Sequence, residues 1–148
     1  MTYADASFLV SLYLRDTNTA AAVTYVKGQR RPLALTALQR HELRNALRLA
    51  VFRTKTSPAP VPEAETHAAL AQIDADLASG NLVSCPLPWS EAMSVAERLG
   101  ATHTMNLGVR GMDLLNVAAA VATKSRIFLT FDSRQRAVAQ AAGLKVLP

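Results

Sequence analysis

Apolar positions along the chain follow two rhythms. Short apolar runs at Thr2–Ala4, residues 33–36, Leu82–Ser84, residues 127–130 and residues 144–147 are too brief for helices and predict buried strands. Between them lie longer segments with helical periodicity. Residues 38–53 are the clearest case. Leu43, Ala46, Leu47, Ala50 and Val51 form one stripe, Arg40, Arg44 and Arg48 form another, and Glu42 sits beside the apolar face. Further helices are predicted over residues 8–14 behind a Ser7 cap, from Thr17 or Asn18 to Lys27 with Gly28 closing it, and over Glu63–Ser79 closed by Gly80. Three more follow: from Ser90 to Gly100, from about Asp113, and from Ser133 to Ala142 with Gly143 closing it. Residues 54–62 predict a Pro-rich surface loop, and residues 101–110 a polar loop carrying His103, Asn106 and Arg110. Helices that alternate with short apolar strands predict an α/β domain with a mostly parallel sheet. No repeat, low-complexity tract or linker divides the chain, so residues 1–148 read as one domain.

Composition narrows the class. Half of the residues are hydrophobic, enough for a sizeable core. No apolar run approaches the roughly 20 residues of a membrane span. The N-terminal Met-Thr-Tyr-Ala-Asp lacks a basic signal region, and a single Cys85 forms no intrachain disulfide. A soluble cytoplasmic protein is expected. Cys85 is followed by Pro86 and has no evident histidine partner, so no Cys/His nucleophile is indicated. The net charge of +5 arises from 16 basic and 11 acidic residues, with arginine in excess. Arginine suits phosphate contacts, although the same charge also serves solubility.

The acids divide into two groups. Asp16, Glu63, Glu65, Asp74, Asp76, Glu91 and Glu97 fall in loops, first turns or polar helix faces and read as solvated. Asp5, Glu42, Asp113 and Asp132 each adjoin an apolar run. Asp5 and Asp132 stand where a strand ends and a helix begins, the edge where open α/β sheets bind ligands. Asp113 and Asp132 bracket one helix–strand unit, GMDLLNVAAAVATKSRIFLTFD. Buried carboxylates are costly unless paired, hydrogen-bonded or bound to a cation. Clustered, they favour a divalent ion with oxygen ligands, which can assist phosphodiester hydrolysis. Each acid also has a structural explanation. Asp5 and Asp132 could cap the helices that follow them, Asp113 could complement a helix dipole, and Glu42 could pair with arginines on its own helix. Their spacing alone is not a specific metal motif.

Four stretches carry a family resemblance: YADASFLVSLY, HELRNALRLAVF, RGMDLLNVAAAV and LTFDSRQRAVAQAAGLKVL. In this order they resemble the PIN-domain ribonucleases, and among these the VapC-type toxins of bacterial toxin–antitoxin pairs. The resemblance implies a three-layer α/β/α PIN-like sandwich with a mostly parallel central sheet. It implies a metal-dependent endoribonuclease using Mg²⁺ or Mn²⁺, with Asp5, Glu42, Asp113 and Asp132 as catalytic acids and metal ligands, Asp5 and Asp113 foremost. It further implies an RNA substrate, a homodimer and a cognate VapB-type antitoxin. Ser7 matches the family's D-x-S pattern and would support the metal shell, or cap the helix. Thr130, two residues before Asp132, would reach the pocket acids. The chain departs from many relatives at Asn116, where they carry histidine. His103 and Arg110 match related sequences and are candidates for RNA contact. Trp89 beside Pro88 is expected to be a packed lid. Competing readings are a catalytically silent RNA- or antitoxin-binding module, a structure-specific DNA nuclease, and a flavodoxin-like phosphatase.

Overall fold

The computed structural model describes Met1–Pro148. Its elements run β1 (Thr2–Ala4), α1 (Ala6–Tyr13), α2 (Thr19–Lys27), β2 (Leu33–Leu35), α3 (Ala37–Thr54), α4 (Glu63–Ser79), β3 (Leu82–Ser84), α5 (Trp89–Leu107), α6 (Gly111–Ala122), β4 (Ile127–Leu129), α7 (Ser133–Ala141) and β5 (Lys145–Leu147). Every strand pair is parallel. Tyr3 pairs with Phe128 and Ala4 with Leu129, while Phe128 and Leu129 pair with Val146 and Leu147. The second ladder joins β2 to β3, with Leu35 opposite Ser84.

Side-chain alternation in β1 and β4 generates the layers. Ala4 and Leu129 belong to a core with Phe8 and Leu9 of α1, Leu43 and Leu47 of α3, and Ile73 of α4. Tyr3 and Phe128 belong to the opposite core, with Val117 and Ala120 of α6 and Val138 of α7. The Tyr3 and Phe128 rings stack at 5.7 Å within it. Helices therefore cover both faces of the strands, giving an α/β/α sandwich.

The expected central sheet is interrupted between β1 and β2, whose ladders are separate. The strands lie side by side, but Gln39 Nε2 donates to the Ala4 carbonyl at 2.8 Å. A side chain thus occupies a backbone acceptor at the boundary.

Several predicted boundaries move. Asp5, not Ser7, caps α1, and Asp132, not Ser133, caps α7. The helix expected to end at Gly100 continues to Leu107, so His103 and Asn106 are helical and the loop shrinks to residues 108–110. Gly108 closes α5 in the left-handed conformation with φ of 60°. Gly28 closes α2 with φ of −77°, without a left-handed cap. Trp89 opens α5 and is 48% exposed, so it is not a packed lid.

Candidate active site

Parallel strands point their carboxyl ends at one edge, and the chain leaves β1 and β4 there into Asp5 and Thr130–Asp132. Asp5 is fully buried. Its Oδ1 accepts the Phe8 N–H at 2.9 Å and the Ser7 hydroxyl at 2.7 Å. Its Oδ2 accepts the Thr130 hydroxyl at 2.6 Å. Burial pushes the Asp5 carboxyl up to about 6, with the three hydrogen bonds opposing the rise and the charge of Asp132 adding to it. Ser7 also accepts the Phe131 N–H at 2.9 Å, which locks the strand-to-helix corner after β4 to that after β1. Both roles considered for Asp5 therefore coexist, because one carboxylate caps α1 and sits at the acidic edge.

Asp132 is half-buried, and its Oδ1 accepts the N–H groups of Arg134 and Gln135 at 2.8 and 2.9 Å. Its own N–H donates to Thr130 Oγ1 at 2.9 Å. Asp113 is the third residue of α6, and its Oδ2 accepts the Arg110 N–H at 3.3 Å. Burial raises its pKa and the charge of Asp132 adds to this, while the backbone bond from Arg110 and the charges of Arg110 and Arg134 lower it. Glu42 lies in the second turn of α3. Its pKa is also raised, first by burial, then by the charges of Asp5 and Asp113, against the hydrogen bond from Asn116.

These couplings close a ring: Asp5 feels Asp132, Asp113 feels Asp132, and Glu42 feels both Asp5 and Asp113. The four sequence-selected acids therefore share one electrostatic neighbourhood. A cavity of about 520 Å³ opens beside them, lined by Glu42, Asp113, Asn116, His41, Arg53 and Gln135 among others. The donor set is all oxygen and suits a hard divalent cation. Nevertheless, no three acidic, histidine or cysteine side chains stand close enough to hold an ion together.

Asn116 has a defined place despite lacking the charge of histidine. Its Nδ2 donates to Glu42 Oε2 at 2.6 Å, and its Oδ1 accepts the Tyr3 hydroxyl at 3.0 Å. The buried Tyr3 hydroxyl fixes which end of the amide is the acceptor, so the other end must face Glu42. Sequence reasoning missed Tyr3 and Gln135. The Asp113-x-x-Asn116 spacing was the available signal for a shared helix face. Of the basic residues on α3, Arg53 lines the cavity, whereas Arg44 turns to Asp74 on α4 at 2.6 Å. Arg110 lies beside Asp113, but His103 on α5 does not line the cavity.

No protein-family model and no curated protein matches the chain. Among solved structures, the chain resembles Mycobacterium tuberculosis VapC20, described as a sarcin-ricin loop cleaving toxin. The TM-score is 0.66, covering 97% of this chain and 96% of that one at 14% identity. The chain has a PIN-like fold. In the PIN-like frame, Asp5 follows β1 and Asp132 follows β4, so the acid edge is the shared carboxyl edge of the β1–β4 ladder.

Proposed function

We propose that the chain is a metal-dependent endoribonuclease, the toxin of a type II toxin–antitoxin module, hydrolysing RNA phosphodiester bonds at the acidic edge. The observation that carries this reading is the ring of Asp5, Glu42, Asp113 and Asp132 beside the cavity. The likeness to VapC20 supplies RNA as the substrate class.

Mg²⁺ or Mn²⁺ would be held by these four acids, Asp5 and Asp113 foremost. When bound, the ion would polarise the phosphodiester and lower the pKa of an attacking water. The chain's own residues do the remaining work. Arg53 at the cavity, with Arg110 and Arg134 near Asp113, would bind the phosphate backbone. Ser7 and Thr130 hold Asp5, and Asn116 holds Glu42. Hydrolysis needs no covalent enzyme intermediate. No helix is long and apolar enough to cross a membrane. A cytoplasmic homodimer restrained by a VapB-type antitoxin completes the reading.

One observation favours a second reading, a catalytically silent RNA- or antitoxin-binding module: no three acids lie within joint reach of an ion. Incubation with total cellular RNA in Mg²⁺, Mn²⁺ or EDTA separates the two. Discrete fragments that require metal and vanish in Asp5→Ala and Asp113→Ala support the nuclease. RNA binding without cleavage or metal binding supports the silent module. Matched DNA in the same assay tests a structure-specific DNA nuclease.

A further inference from the structure

Gln135 is 6% exposed and lines the acid-flanked cavity, yet its side-chain carbonyl Oε1 has no hydrogen-bond partner. A buried carbonyl left unpaired is costly, and such groups in folded proteins call for an explanation. Local sequence would predict a partner. Asp132-Ser133-Arg134-Gln135 has the capping-box form, in which the glutamine reaches back to the N–H of the capping residue. The same chain completes that arrangement at α3, where Gln39 Oε1 accepts the Thr36 N–H at 2.8 Å. At α7 it is blocked. The Asp132 N–H is taken by Thr130 Oγ1 at 2.9 Å. The hydroxyl that holds Asp5 therefore also frees Gln135 from its capping partner.

The released carbonyl can only accept, so its complement is a donor on a ligand in the cavity. That cavity also presents Arg53 and lies beside Arg110 and Arg134, which suits a phosphate-bearing chain. The ribose 2′-hydroxyl is a donor that distinguishes RNA from DNA. We propose that Gln135 contacts the substrate, accepting a hydrogen bond from a ribose 2′-hydroxyl near the acidic edge and so favouring RNA over DNA. This assignment rests on the endoribonuclease reading above and adds the feature of RNA that the site recognises.

The test combines Gln135→Met, which keeps the length of the side chain but removes the amide, with a scan of single 2′-deoxy substitutions. The probe is a short fluorescein-labelled single-stranded RNA spanning a cleavage site found in total RNA, or a mixed-sequence RNA if none is cut. Both kcat/KM in metal and binding by anisotropy in EDTA are measured. In the wild type, one 2′-deoxy position should cost about ten-fold, in line with the loss of one hydrogen bond. Gln135→Met should lose a similar factor on the all-ribose probe and nothing further on that deoxy probe. Equal, multiplicative losses at every position would overturn the contact while leaving the nuclease intact. A weakened Mn²⁺ affinity in Gln135→Met with unchanged ribose preference would place the residue beside the ion instead, and would also overturn it. RNA binding without cleavage, but with the same coupling, would support the contact and remove the nuclease reading. Neither cleavage nor RNA binding by a folded wild type would remove both. Circular dichroism melting of both proteins guards against misfolding as the cause.

Discussion

The Thr130 hydroxyl donates to Asp5 Oδ2 at 2.6 Å and accepts the Asp132 N–H at 2.9 Å, so one side chain joins two acids that lie 127 positions apart in the sequence. Thr130 is fully buried, and water cannot replace it readily. Thr130→Val keeps the shape and strands both partners. It should cost about 2–4 kcal/mol of stability, the penalty for two unsatisfied buried groups. Thr130→Ser keeps both bonds and loses only a methyl group, about 1 kcal/mol. Urea unfolding of the two variants checks this, and equal stabilities would show that the hydroxyl does not hold the corner.

Asp5 makes stability depend on pH in an unusual direction. An ordinary aspartate titrates near 3.8, whereas Asp5 titrates near 6. Between these values the unfolded chain has lost the proton and the folded chain still holds it. Stability therefore falls as pH rises through this window, and the loss is complete above the folded pKa. A shift of that size corresponds to about 3 kcal/mol. Asp5→Asn lacks the titration, so its stability relative to wild type should grow as pH is raised from about 4 to about 6.5. A pH-independent difference in urea midpoints would contradict the buried, protonated carboxyl. At neutral pH, Mn²⁺ should raise the wild-type melting temperature and leave Asp5→Asn nearly unmoved, because a cation reverses the preference for the proton.

The glycines of α5 carry a third prediction and show where sequence reading stops. Gly100 was expected to end a helix, because glycine is a common terminator and a polar run follows it. It instead sits inside α5, and a Cβ there would lie 3.4 Å from Leu114 Cδ1, an ordinary contact. Gly100→Ala should therefore stabilise by about 0.5–1 kcal/mol through helix propensity. Gly108, with φ of 60°, is the residue that requires glycine, and Gly108→Ala should destabilise by about 1 kcal/mol. Thermal melts of both variants suffice, and a lower melting temperature for Gly100→Ala would reject this account of α5.

The strands, by contrast, were legible because each is a short apolar run set between turn or capping residues. Asp5, Glu42, Asp113 and Asp132 stood out because each interrupts or adjoins such a run. Their meeting was not legible, since it depends on β1 pairing with β4 across the length of the chain. The same long-range pairing hid Tyr3 and Gln135. Tyr3 looks like any strand aromatic until α6 brings Asn116 to its hydroxyl at 3.0 Å. Gln135 looks like a capping-box member until Thr130 takes its partner. Periodicity reports which face of an element is buried, but it does not say which polar group waits on the other side.

The Tyr3–Asn116–Glu42 chain of hydrogen bonds gives the last prediction. Asn116 is 2% exposed, and its amide is the only link between the Tyr3 hydroxyl and Glu42. Asn116→Leu orphans the Tyr3 hydroxyl and removes a donor from Glu42, and should cost about 2–4 kcal/mol. Tyr3→Phe removes one donor and should cost about 1 kcal/mol. Once Asn116 is leucine, the tyrosine hydroxyl has nothing to satisfy, so Tyr3→Phe should then be neutral or stabilising. The coupling in a double-mutant cycle should therefore be about 1 kcal/mol or more. Asn116→Asp is the sharper probe. It keeps the acceptor for Tyr3 but sets a second carboxylate against Glu42, whose own pKa is already raised. Its stability should match wild type more closely in acid and fall behind as both groups ionise. Urea midpoints across pH for the four proteins decide the matter. Additive single effects, together with an Asn116→Asp variant whose deficit does not change with pH, would mean that Asn116 fills space beside Glu42 and does not hold it.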